Sequence, residues 1–507
     1  MLSAARSRLA IPSQFVFLVV NGIGILTSVV YDASTPDLYA NNAHHKIGWA
    51  VTWIAVVWVL LGLFNYYVQR LQKAAHTEFS TNDTASQTVA HYRRLQDYNL
   101  RQDCRWSDDS GHGTERNSTS ICADSRSPSS EEIYHKPEQP QQPYLEDNDD
   151  EDDQGHAERR GFLDKSSMDR LFPIRISQAL SDRASTAIDI TYVVLERFQV
   201  ILGFLAITTG LITWTGLFNG LSVMNGLAHW IKGGMFFWFG ILTLGRWMGA
   251  FTDFGWAWNV RPEYPLVTKF ASKMPSAEFG ESFVIFLYGA TNVFLEHLAA
   301  WGSAWTAGDL EHLSITVMFF GGGLLGMLIE SETIRNLLNT NMLVKKASAG
   351  PSHGDSWDTP KTYKTSLNPV PGLVIMLLGI MMSSHHQDSM VSTMVHKQWG
   401  TLFVGLALSR AVTYILLYIS PPASHFPSRP PSELVTAFCS ISGGLLFMAS
   451  ARDVVETLEY NDLDAMFVFT VMMGLTCLVM AWTTVLYAFK GWAFRRENRG
   501  SVRVATD

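Results

Sequence analysis

Imidazole and carboxylate groups recur in this chain at the ends of its apolar runs, where side chains from different segments can meet. Leu295-Glu-His-Leu298 and Asp309-Leu-Glu-His-Leu313 place Glu296 and His297 beside Glu311 and His312 across a short connection. The next pair of runs adds Ser383-Ser-His-His-Gln-Asp388 and His396. Neutral imidazole with carboxylate is a donor set for zinc, iron, copper or nickel. Neighbours on a helix point about 100° apart, so within each Glu-His pair one group would bind an ion and the other would orient a ligand. His297, His312, His386 and His396 are therefore the expected ligands of a transition metal, with Glu296, Glu311 and Asp388 in support. A solvated helix end is the ordinary place for any one of these residues. What favours a metal is their arrival from four helices, as in metal-binding bundles.

A second constellation lies in Asn41-Asn-Ala-His-His-Lys-Ile-Gly-Trp49. A histidine followed four positions later by glycine lets a flat group approach the helix closely. His44, with His229 as a conceivable second axial ligand, is the alternative centre: a haem b for electron transfer. A satisfied interfacial histidine is the bland explanation of the same pattern.

The elements that must position these groups follow from hydropathy. The charged fraction is 17%, well under the roughly 25% of soluble domains. A bilayer core of about 30 Å needs about 20 apolar helical residues, and about ten runs meet that need. They lie near 12–31, 47–68, 193–217, 227–250, 281–301, 310–331, 369–384, 396–419, 433–450 and 463–489. The chain thus reads as an all-α, polytopic integral membrane bundle whose partner is the lipid bilayer. Residues 1–70 form a two-helix membrane domain. Residues 71–185, rich in Ser, Asp, Glu, Gln and Pro, form a disordered polar loop. Residues 186–495 form an eight-helix domain and 496–507 a tail.

Lys and Arg alternate strictly between the two faces of this arrangement. Arg70, Lys73, Arg261, Lys269, Arg335, Lys345, Lys490 and Arg495 fall on one side, while Lys46, Lys232, Lys397 and Arg452 sit at helix ends on the other. The excess of positive charge marks the cytoplasmic face, which puts both termini and the polar loop there. Glycosylation at Asn82 or Asn117, each in an N-x-[ST] sequon, would overturn that orientation. Small-residue motifs, Gly322-x-x-x-Gly326 and Gly443-Gly444, predict close helix contacts.

The net charge of −8 reflects the polar loop and implies no nucleic-acid partner. Cys104, Cys122, Cys439 and Cys477 have no metal spacing. P-loop, nucleophile-elbow and His-Glu-x-x-His motifs are absent, so ATP-driven transport and the familiar hydrolases have no support. A transporter or a scaffold for membrane partners is a further alternative.

Pro36-Asp-Leu-Tyr-Ala-Asn-Asn-Ala-His-His-Lys-Ile-Gly-Trp49 resembles the N-terminal domain of the fungal Ytp-type transmembrane proteins. Gly226-Leu-Ala-His-Trp-Ile-Lys-Gly-Gly234, Leu295-Glu-His-Leu298 and the stretch from Asp309 to Gly323 resemble their C-terminal domain. The resemblance implies a multi-pass membrane protein without an assigned reaction. The N-terminal domain is in turn similar to the ascorbate-reducible transmembrane cytochromes b, and that similarity would make His44, or the adjacent His45, a haem ligand. The family pattern would put another histidine-bearing helix before Met1, so the first domain is expected to be truncated.

Overall fold

The computed structural model describes residues 9–36, 39, 43–68, 182–296, 304–349, 357, 359–384 and 387–497. Among the described residues, every run expected to cross the bilayer contains a helix. The long helices are α1 (Ala10–Ser34), α2 (Ala43–Val68), α3 (Asp182–Thr215), α4 (Val223–Met248) and α5 (Ala277–Glu296). They continue with α6 (Ala307–Glu330), α7 (Val370–Ser384), α8 (Met390–Ile419), α9 (Pro431–Ala449) and α10 (Ala465–Glu497). No strand occurs among the described residues.

Eight of these helices are long and apolar enough to cross a membrane. The other two depart for visible reasons: α7 has only 15 residues, and α5 carries Glu278 and Glu281 in its first turns. Helix α3 begins at Asp182, well before the apolar run, because a helix once nucleated extends through polar residues at little cost. Most of the loop expected to be disordered lies outside the described residues, as do both sequons, Cys104 and Cys122.

The chain divides into two compact units, Met1–Val59 with Leu195–Asp507, and Leu60–Val194. In the second, the described residues are the last turns of α2 and the first turns of α3. The interactions below belong to the first unit.

Within it, α4 packs on α9, α9 on α8, α8 on α7, α7 on α6 and α6 on α5, while α10 lies against α9, α8 and α4. Lipid tails are as apolar as leucine, so helices associate in a bilayer by close contact rather than by hydrophobic expulsion. The α4/α9 seam shows this. A Cβ on Gly233 would stand 2.5 Å from the Gly444 carbonyl oxygen, and one on Gly444 would stand 2.5 Å from the carbonyl of Gly233. Gly443 receives the Phe403 ring and Gly326 the Ser282 side chain, so both small-residue motifs are packing seams. Trp399, Phe403 and Leu446 fill the centre, each at 2% exposure or less. Val16, Val19, Leu26, Leu478 and Trp482 stay exposed on α1 and α10, as lipid-facing residues would.

Candidate functional site

A cavity of about 1100 Å³ opens among α3, α4, α5, α6, α7 and α8. It exists because α4 and α5 do not pack closely on one another along their length. Leu205, Trp230, Phe239, Ile375, Leu378 and Leu406 supply typical apolar wall. On α4 the lining runs from Val223 to Leu242, about 29 Å at 1.5 Å per residue, close to the thickness of a bilayer core. Polar groups concentrate at its two ends.

At one end stands a buried ion network. Arg246 of α4 donates from Nη1 to Glu281 Oε1 at 2.8 Å and from Nη2 to Glu278 Oε1 at 2.8 Å. Its Nε donates to the Trp256 carbonyl at 2.7 Å, and its guanidinium lies over the Trp258 ring. Arg410 of α8 reaches both oxygens of Glu281 from Nη1 at 3.2 Å. Its Nε lies 2.8 Å from Glu433 Oε1, close as an ion pair but off the line of a hydrogen bond. None of these five side chains is more than 8% exposed. Glu281 and Arg410 also face the cavity. Nearby, Glu330 accepts hydrogen bonds from Ser276 at 2.6 Å and Ser366 at 2.7 Å.

His44, His312 and Lys232 line the other end, and two further histidines pair nearby, outside the lining. His229 of α4 and His396 of α8 stand edge to face with ring centroids 6.4 Å apart, and His312 of α6 is close enough to His229 to act on it electrostatically. The Nδ1 atoms of His229 and His396 lie 2.9 and 2.8 Å from the carbonyls of Asn225 and Ser392. A carbonyl only accepts, so each Nδ1 carries the proton and each Nε2 is the basic nitrogen of the neutral ring. His44 of α2 also lines the cavity. Thr209 already donates to Leu205 at 2.7 Å, so its oxygen accepts from His44 Nδ1 at 3.0 Å. His45 is exposed and packs edge-on against Trp49, so His44 is the one turned inward. Burial and the Asp453 carboxylate raise the pKa of Tyr39, which lines the same end.

The structure thus joins two histidines that the sequence had assigned to different centres. His229, expected opposite His44, meets His396, while His44 lies on α3 against Gly210. Glu311 and Asp388 are exposed. Asp309 closes the first turn of α6 in a capping box with Thr306. His297, His386 and the Glu296 side chain lie outside the described residues. Among the described residues, no three His, Cys, Asp or Glu side chains are grouped to hold a metal ion.

Sequence reasoning overlooked the arginine network. Its signal was present: Arg246 and Arg410 lie inside apolar runs, where a charge is costly unless paired. Glu278, Glu281 and Glu433 sit in first turns and resembled ordinary span ends.

The chain matches the family described as protein YTP1-like, C-terminal, over residues 202–491. It belongs to that family. Residues 1–68 match a domain of unknown function. An uncharacterised membrane protein of Schizosaccharomyces pombe is 31% identical, over 98% of this chain and 90% of its own. Another, from Saccharomyces cerevisiae, is 40% identical over 55% of this chain and 44% of its own. The S. cerevisiae protein YTP1 is 22% identical over 68% of this chain and 63% of its own. No solved structure matches. The protein is therefore a multi-pass membrane protein of the YTP1-like family.

Proposed function

We propose that this YTP1-like protein binds a membrane-soluble amphiphile in the cavity of its larger unit, as a carrier or transporter. The observation that supports this is the cavity itself. It is about 1100 Å³, at the top of the range for small-molecule sites, and its wall is apolar between two polar ends. A ligand suited to it has a long or fused-ring apolar body and polar groups at both extremities. One end would meet Glu281 and Arg410, the other His44, His312 and Lys232. Both termini are proposed to be cytoplasmic, from the distribution of Lys and Arg.

Native mass spectrometry of protein purified from its own membranes tests this. A bound amphiphile near one per chain is expected. Gly280 and Gly372 line the cavity, and a Cβ on either meets nothing within 4 Å. Gly280→Phe and Gly372→Phe should therefore fill the space without disturbing the helices and displace the ligand. Folded wild-type protein carrying only detergent would overturn the proposal.

A transition metal at the histidine end is a second proposal, favoured by one observation: His229 and His396 face each other with both Nδ1 atoms engaged by backbone carbonyls. That arrangement fixes the tautomer that ligates through Nε2. Two imidazoles do not complete a shell, and His312, which acts electrostatically on His229, is proposed as a third donor.

A further inference from the structure

The ion network at the arginine end contains three carboxyl groups, Glu278, Glu281 and Glu433, and two guanidiniums, Arg246 and Arg410. Fully ionised, it would hold a net charge of −1 away from water. Arginine stays protonated under all ordinary conditions, so a proton that neutralises the imbalance goes to the acidic side. The pairing shows where compensation is thinnest. Arg246 serves Glu278 and Glu281, and Arg410 serves Glu281 again. Glu433, with no exposed surface, has only the Arg410 Nε contact, and neither of its oxygens has a hydrogen-bond partner among the described residues. Of the other groups about the cluster, Thr243, Ser282 and Tyr414 bring no positive charge, and Glu330, which acts on Glu278, is itself acidic. An uncompensated buried carboxylate costs several kcal/mol, whereas a neutral carboxylic acid avoids that penalty.

We propose that the Arg246–Glu278–Glu281–Arg410–Glu433 cluster is a proton-binding site that holds one exchangeable proton at neutral pH and exchanges it through the cavity. The proton belongs to the coupled carboxyls as a set. Glu281 is the carboxyl that belongs to both the network and the cavity wall, so proton exchange passes by the space offered to a ligand. The exchange route rests on the cavity described above. The proton itself follows from the charge count. Intramembrane carboxyls that trade protons beside a substrate pathway are the usual elements of proton-coupled transport.

Infrared spectroscopy of the full-length protein in lipid nanodiscs at neutral pH reads this directly. Wild type should show the carbonyl stretch of a protonated carboxyl, shifting in D₂O. Glu433→Gln and Glu281→Gln each leave two carboxylates facing two guanidiniums, so each should lose the band. Their helix content and thermal midpoint serve as controls. No such band in wild type, or a band that survives in both folded variants, would overturn the proton site. In Gly280→Phe, with the cavity filled, the deuterium shift should slow by tenfold or more. An unchanged rate would overturn the route. The band requires no bound amphiphile, so failure of the ligand proposal and failure of the proton proposal are separable.

Discussion

Arg246 and Glu278 meet at 2.8 Å with side chains only 2% and 5% exposed, joining α4 to α5 at the end where the two helices otherwise leave a cavity. The pair closes a seam that direct helix packing does not. Removing the charge of Arg246 would leave Glu278 without its guanidinium and Glu281 with only Arg410. Arg246→Met is expected to destabilise the protein by about 3–5 kcal/mol, the cost of leaving a buried charge unpaired. Arg246→Lys should recover only part of this, because one ammonium cannot reproduce a fork that meets two carboxylates and a carbonyl. Thermal unfolding in a defined detergent, followed by circular dichroism, checks both. Equal midpoints for wild type and Arg246→Met would show that the network contributes little.

Close approach at the α4/α9 seam sets a second expectation. Gly233→Leu would drive a side chain into the Gly444 carbonyl and the Met448 side chain. Overpacking of this kind costs about 1–3 kcal/mol. Gly474→Ala, on a face of α10 with nothing within 4 Å, should be neutral or stabilise by about 0.5–1 kcal/mol, since alanine suits a helix interior better. The two variants compared in one unfolding series separate a packing requirement from a helix preference.

How much of this was legible in the sequence differs by element. The spans were, because a bilayer demands long apolar runs, and each expected run contains a helix among the described residues. The Gly443-Gly444 and Gly322-x-x-x-Gly326 seams were also visible as small-residue motifs. Which helices share them was not, since α4 and α9 are far apart in sequence and only the fold brings Gly233 to Gly444. The histidines illustrate the same limit. His229 and His396 are each ordinary interfacial residues in the sequence, which grouped His396 with the neighbouring hairpins and set His229 opposite His44 as a conceivable haem ligand. Arg246 and Arg410 were readable as costly charges, but their partners lie in the first turns of α5 and α9, where acidic residues are favoured for helix-terminal reasons alone.

Orientation yields a prediction independent of any ligand. With the loop between α2 and α3 on the cytoplasmic side, the sequons at Asn82 and Asn117 never meet the glycosylation machinery. Protein from its own cells should show no change in mobility after endoglycosidase treatment. An acceptor sequon engineered between Tyr460 and Asp464, on the opposite face, should be modified. Glycosylation at Asn82 or Asn117 would invert the topology.

Metal content decides the chemistry of the histidine end. If a transition metal sits between His229 and His396, full-length protein purified without chelator should carry about one zinc, copper or iron per chain. His229→Ala and His396→Ala should each lose it, because each removes an Nε2 donor whose geometry a backbone carbonyl fixes. His45→Ala is the control, since that ring is exposed against Trp49 and faces away from the cavity. His312→Ala adds discrimination: loss of metal would mark it as the third donor, and retention would leave it as a polar group on the cavity wall. Metal retained in both His229→Ala and His396→Ala would remove the metal from this pair. The two imidazoles would then be a buried polar pair packed against Phe447 and Trp399.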